Sequence, residues 1–458
     1  MKTNRDIEGL GTSNINEIII IGAGLAGVEA AYQIAKRGIK VKLYEMRPGK
    51  MTNIHETGYP GEMVCSNSLG STDITSALGL LKEELILLDS FYLKTAMKYI
   101  VPAGKSFSVD RHLLAKSIKD ELDKIENISY IEREITDIPD VNSPVIIAAG
   151  PLISDDFAES LTKITKRRNL FFFDATSPII DAESIDMDEV YFASRYDKGE
   201  ADFLNIPLNE EQYYTLVKDL NEAEKVPIHD FEDDKFFESC LPVEEIARRG
   251  DKSLSFGPLK PVGLIDPKTG KRPYAVIQLR QDDINKNFFQ LVGFQTRLKY
   301  GEQKRIFQKL PGLKNAKFER YGRMHKNAYI NAPLIIDKFN KAVEYDNIYF
   351  AGQISGVEGY VESICSGLFT GIAVAKAILN EPISYLPLDT ASGSLFNYIS
   401  SANWKNFTPT KFTFGLLPDI TLTEKIKGKK KDIKKIKKAK KSERALNNLK
   451  EWIKAEKI

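Results

Sequence analysis

The run "EIIIIGAGLAGVEAAYQIAKRGIKVKLYE", residues 17–45, constrains the fold more than any other stretch of the 458-residue chain. Its β-branched opening reads as a parallel strand buried on both faces. The glycines at 22, 24 and 27 form GxGxxG, and a segment of helix-forming composition follows. Gly38 is placed to end that helix, and an alternating strand runs to Glu45. In this order the first glycine permits a sharp turn and the second lets backbone approach a pyrophosphate. The third allows helix and strand to pack closely. The helix N-terminus turns N–H groups and partial positive charge toward the phosphates. Glu45, 18 residues beyond Gly27, stands where a carboxylate accepts hydrogen bonds from ribose hydroxyls. Gly22, Ala23, Gly24, Leu25, Ala26, Gly27 and Glu45 are therefore the candidate dinucleotide-binding residues.

Two later stretches repeat the strand-to-glycine pattern: "SPVIIAAGP" at 143–151 and "NIYFAGQISGVEGY" at 347–360. The second leads into a small-residue-rich helix. A late strand ending at Ala351-Gly352 before a long helix favours FAD over NAD, with Gly352 and Gln353 against the flavin, because amides at such a helix start stabilise negative charge on a reduced ring. The segment between mixes strand-like and helical runs. The expected class is α/β: an FAD-binding Rossmann-like domain built from both chain ends, with an inserted α+β domain. The boundaries read as 14–185 and 335–420 for the FAD-binding parts, 186–334 for the insertion and 421–458 for a Lys-rich tail.

With 42% hydrophobic and 28% charged residues, composition is that of a globular protein. No uninterrupted apolar stretch approaches the roughly 18–20 residues of a membrane span, and the polar N-terminus does not resemble a secretory signal. Three cysteines without CxxC spacing argue against a disulfide framework or a metal site, and a reducing cytoplasm is the expected location. Cys365 lies on an apolar helix face and reads as inert. Cys65, in "EMVCSNSLG", and Cys240, in "FFESCLPVEEIARRG", stand in polar or arginine-flanked stretches, where either a buried or a reactive thiol is consistent with the residues.

These stretches resemble the TrmFO family of folate- and FAD-dependent RNA uracil-C5 methyltransferases, and more distantly the FAD-containing tRNA-modifying enzymes of the MnmG group. The resemblance runs from about Asn16 to Leu417. It is carried by "IGAGLAGVEAAYQIAKRG", "LYEMRP", "EMVCSNSLG", "SVDRH", "FFESCLPVEEIARRG", "RPYAVIQLRQDD", "RYGRMHKNAYINAP" and "FAGQISGVEGYVES". It implies methylenetetrahydrofolate as carbon donor, FAD reduced by NAD(P)H, and a uridine in RNA as acceptor. Cys240 would be the nucleophile on uracil C6, with Cys65 assisting near the flavin. His325 would meet the pterin of folate, and Tyr360 and Glu362 would lie near flavin or folate. His55, His112 and His229 read as structural or surface residues. The sequence departs from the family pattern at Lys105, where a glycine is usual, and in "NFTPTKFTFGLLP", segments that the family layout puts near folate or RNA.

The net charge of +2 conceals a split. From Lys425 onward there are 15 basic residues against 4 acidic, and the preceding chain carries 50 against 59. "KIKGKKKDIKKIKKAKK" has 11 lysines in 17 residues, a pattern suited to salt-dependent RNA contact. A short amphipathic closing helix is expected after it, with Leu446, Leu449, Trp452 and Ile453 on one face. Three readings are open: methylation of the T-loop uridine of tRNA, the same chemistry on 23S ribosomal RNA, and a flavoprotein that binds RNA without methylating it.

Overall fold

The computed structural model describes residues 17–166, 170–197, 200–227, 241–420 and 430–458. The glycine-rich unit folds as strand β1 (Glu17–Ile21), helix α1 (Leu25–Ala35) and strand β2 (Lys40–Glu45). Both strands belong to a five-stranded sheet in the order Ile348–Phe350, Val145–Ile147, β1, β2, Ile128–Glu132, with every pair parallel. Numbered along the chain, this is the 3-2-1-4-5 order of a doubly wound sheet. Its switch point lies between β1 and Val145–Ile147, and ligands of such sheets bind beyond the strand ends there.

The helix Tyr360–Ile378 crosses α1 at close range. A Cβ on Gly367 would lie 2.1 Å from the Ala26 carbonyl oxygen, and one on Gly371 2.8 Å from that of Ala30. These two glycines let the helix backbones approach closer than ordinary side chains allow. Among the described residues this helix alone is long and apolar enough to cross a membrane, yet it is buried in the protein core. Its length was not evident as an apolar run because Glu362, Ser363, Ser366 and Thr370 interrupt it.

A second hydrophobic core, from Ile180 to Phe318, packs on a six-stranded sheet. That sheet runs Tyr191–Ala193, Phe203–Leu208, Ala275–Gln281, Phe288–Leu291, Ile179–Asp181, Phe318–Arg320, with every pair antiparallel. In a separate two-stranded ribbon Met324–Tyr329 pairs antiparallel with Leu170–Ala175, and its Ala328 and Tyr329 join the main core.

The lysine-rich C-terminus is a helix, Lys430–Glu456, packed against the helix Ala77–Leu87. Leu449 and Trp452 join the main core, with Leu446 and Ile453 packed beside them, as the expected closing face requires. Lys441 belongs to the lysine run but is buried: its Nζ reaches the carbonyl oxygens of Phe414 and Leu417 at 3.3 and 3.2 Å, and Asp419 at 3.0 Å. It holds the helix to the body and is not a surface charge.

Candidate active site at the sheet switch point

A cavity of about 370 Å³ opens where β1 and Val145–Ile147 end. The glycine turn forms its floor. Gly22 has φ of +99°, and a Cβ there would lie 2.5 Å from the Ala148 carbonyl oxygen. A Cβ on Gly27 would lie 1.9 Å from the Gly22 carbonyl oxygen, so this glycine packs inward and does not line the cavity. Gly24 is different: it caps α1, lines the cavity, and a Cβ on it would meet no protein atom within 4 Å. Helix α1 thus presents its N-terminus to the cavity with no side-chain cap. The helix Tyr360–Ile378 also begins at the cavity, at Gly359, without a side-chain cap. Two uncapped helix starts and an open glycine face suit an anionic pyrophosphate and an electron-rich ring.

Of the residues expected to bind the dinucleotide, Gly22, Gly24, Leu25, Ala26, Glu45, Gly352 and Gln353 line the cavity. Ala23 does not; its N–H donates to Glu45 Oε2 at 3.1 Å and so ties the turn to the end of β2. Glu45 belongs to a buried charge network. Arg47, 2% exposed, reaches Glu45 Oε1 at 3.0 Å and Glu62 Oε2 at 3.0 Å. Glu62 also accepts N–H bonds from Glu56 and Thr57, so its charge is well compensated. Arg47 and Glu62 belong to no recognisable binding motif in the sequence. Their signal was the "LYEMRP" block, where an arginine two residues beyond the acid can fold back on it.

Cys65 lies on the cavity wall, half-buried. Its loop is fixed from two sides. The Tyr360 hydroxyl accepts N–H bonds from Cys65 at 2.6 Å and Ser66 at 3.2 Å. From the six-stranded sheet, Gln290 Nε2 donates to the Cys65 carbonyl at 3.0 Å, and Asn67 Nδ2 donates to the Gln281 carbonyl at 2.9 Å. Tyr360 therefore positions the cysteine loop through its backbone. Cys365, by contrast, is 1% exposed, and burial pushes its thiol pKa well up. Cys240 and His229 lie outside the described residues.

His325 lines the same cavity and is 6% exposed; burial lowers its pKa, with Asp174 opposing. His55, expected to be structural, also lines the cavity; burial and Arg47 depress its pKa to about 3, so it is neutral. His112 lies on the surface beside Glu56. Two acids at the start of the Tyr360–Ile378 helix complete the wall. Burial, then Asp174, raises Glu358 to about 8, and burial raises Glu362 to about 7. Lys411, one of the departures from the family pattern, also lines the cavity and opposes both shifts. Glu358 and Asp174 carried no sequence signal beyond being acids next to apolar strands or glycine turns.

Fold and site together define a Rossmann-type, FAD-binding class of protein with a cysteine on the cofactor cavity. Residues 17–382 match the family model described as Glucose inhibited division protein A. The methylenetetrahydrofolate–tRNA-(uracil-5-)-methyltransferase TrmFO of Bacillus subtilis is 49% identical over 417 residues, 91% of this chain and 95% of that one. The protein of the same description from Ligilactobacillus salivarius is 46% identical over 441 residues, 96% of this chain and 98% of that one. Among solved structures, GidA of Aquifex aeolicus superposes with a TM-score of 0.63 at 15% identity, over 87% of this chain and 70% of that one, a likeness of fold. The chain belongs to the TrmFO branch of the glucose-inhibited division protein A family.

Proposed function

We propose that this chain methylates C5 of a uridine in RNA, with tRNA as the substrate class, using methylenetetrahydrofolate as carbon donor and FAD reduced by NAD(P)H. The observation that carries the reading is the placement of Cys65 on the wall of the dinucleotide cavity, in a chain whose relatives bear that activity in their names. Gly22, Gly24 and the α1 N-terminus would hold the pyrophosphate of FAD. Glu45 would meet its ribose, and Gly352, Gln353 and the start of the Tyr360–Ile378 helix its ring. When bound, FAD supplies the reducing equivalent that makes the transferred carbon a methyl group.

The remaining chemistry falls to the protein. Uracil C5 is a weak carbon nucleophile. A thiolate that adds to C6 forms an S–C6 bond and drives the ring electrons toward O4, which makes C5 an enolate carbon able to attack the one-carbon electrophile. We assign that addition to Cys240 and assign to Cys65 the removal of the C5 proton, after which the S–C6 bond breaks and the ring is restored. His325 and Tyr360 would lie against folate beside the flavin. The target base must leave its stack to reach this cavity. Cys65→Ala and Cys240→Ala test the assignment: each variant is expected to purify yellow with FAD and to lose methylation. A normal methylation rate in either would remove that cysteine from the reaction.

A further inference from the structure

The ribbon register places His325 directly opposite Asp174, and both are buried, at 6% and 3% exposed. His325 Nε2 lies 3.8 Å from Asp174 Oδ2. At this separation the two groups form no hydrogen bond but lie close enough for Asp174 to stabilise a proton on His325. Cys65, which lines the same cavity, brings its sulfur to them. The Cys65 Sγ, a ring nitrogen of His325 and a carboxylate oxygen of Asp174 all lie within 4.8 Å of one another. The loop that carries Cys65 is held by Tyr360 and Gln290, so the sulfur is presented and not left to wander.

The surrounding charges favour a thiolate on that sulfur and act on His325 in opposite directions, Arg320 against an imidazolium and Asp174 for it. Arg320, 6% exposed, lies within electrostatic reach of both Cys65 and His325, and its Nε and Nη2 are buried without a hydrogen-bond partner. Asp174 stabilises positive charge on His325. Glu358 faces Asp174, and His55 faces His325. Tyr360 faces Cys65, with Arg111 and Arg280 beyond it.

We propose that Cys65, His325 and Asp174 form a proton-transfer triad, in which His325 takes the thiol proton of Cys65 and Asp174 positions and stabilises the resulting imidazolium. The S–H bond breaks, an N–H bond forms on His325, and the electron pair stays on sulfur; no oxidant or reductant takes part. Return of the proton restores the resting pair. The thiol and imidazole then titrate as a unit rather than as two separate groups. This deepens the reading of Cys65 as a reactive thiol, but its test needs neither folate nor RNA, so its failure and a failure of methylation are distinguishable.

The experiment follows carbamidomethylation of Cys65 in the full-length, FAD-bound protein by iodoacetamide from pH 5.5 to 9.5, read from the mass of the Cys65 peptide. Wild-type protein is expected to show a reactive limb below pH 7, where an ordinary thiol with pKa of about 8.5 is only a few per cent thiolate. His325→Gln is expected to react about tenfold or more slowly at pH 6.5, and Asp174→Asn several-fold more slowly, with flavin absorbance retained in both. Chelator is expected to change nothing. A wild-type profile with a single ordinary titration near 8.5 overturns the proposal whatever the variants do, as do variant profiles that superimpose on a low-pH wild-type limb. Loss of the limb on adding EDTA would overturn it in favour of a bound cation at these three groups.

Discussion

At the scale of single residues, the three glycines of the turn do different work although the motif writes them alike. Gly27 meets backbone: its missing Cβ would overlap the Gly22 carbonyl oxygen. Gly24 meets only the cavity. Gly27→Ala is therefore expected to destabilise the fold by about 3 kcal/mol or more through overpacking against backbone that cannot yield. Gly24→Val is expected to leave the thermal unfolding of the FAD-free protein within a degree or two of wild type while weakening FAD at least tenfold. Flavin absorbance after gel filtration, beside an unfolding curve, separates the two. If Gly24→Val retains stoichiometric FAD, the pyrophosphate does not lie on α1. These positions were legible because their geometry is local, held within one βαβ unit. Lys441 shows the opposite case: it reads like its neighbours in the lysine run, and only the packing of Phe414 and Leu417 against its helix makes it structural.

At the scale of elements, the site is a convergence of pieces remote in sequence. The Cys65 loop, the Leu170–Ala175 and Met324–Tyr329 ribbon and the start of the Tyr360–Ile378 helix meet at one cavity. Patterning exposed the β-branched strands, the glycine turns and the small-residue helix, and marked the Cys65 stretch as loop-like, but it singled out neither strand of the ribbon. What it could not expose was pairing. Nothing in "LFFFDA" marks Asp174 as the partner of His325, because strand register across an inserted domain is set by long-range packing rather than by local propensity. The crossing of α1 by the Tyr360–Ile378 helix is also a pairing, made possible by Gly367 and Gly371. Gly367→Ala places a methyl group 2.1 Å from the Ala26 carbonyl and must push the helices apart. The expected outcome is a loss of several degrees in melting temperature together with weaker FAD binding, since α1 and the helix start at Tyr360 border the same cavity. Unchanged melting and full flavin content in Gly367→Ala would show that the helices do not pack as described.

At the scale of the whole molecule, charge is divided between an acidic body and a basic C-terminal segment. In the described part of that segment, Lys434, Lys435, Lys437 and Lys440 are exposed, whereas Lys441 is buried. We take the exposed lysines as a sequence-blind contact for the RNA backbone. Replacing all four by Gln is expected to weaken tRNA binding and to lower the slope of log affinity against log salt by up to about 3, with FAD and stability unchanged. Lys441→Ala is expected to act the other way, on stability and not on the salt slope. An unchanged slope in the four-lysine variant would leave the segment a solvated face. Transfer of the labelled carbon to RNA can be measured outright. Purified yellow protein is supplied with NADPH, methylenetetrahydrofolate labelled in its methylene carbon, and unmodified transcripts of tRNA and large-subunit ribosomal RNA in separate reactions. Label is expected in 5-methyluridine of the tRNA transcript, dependent on NADPH. Oxidation of NADPH with no label in either transcript would contradict the proposed methylation, and label in the ribosomal transcript alone would keep the chemistry and overturn the substrate.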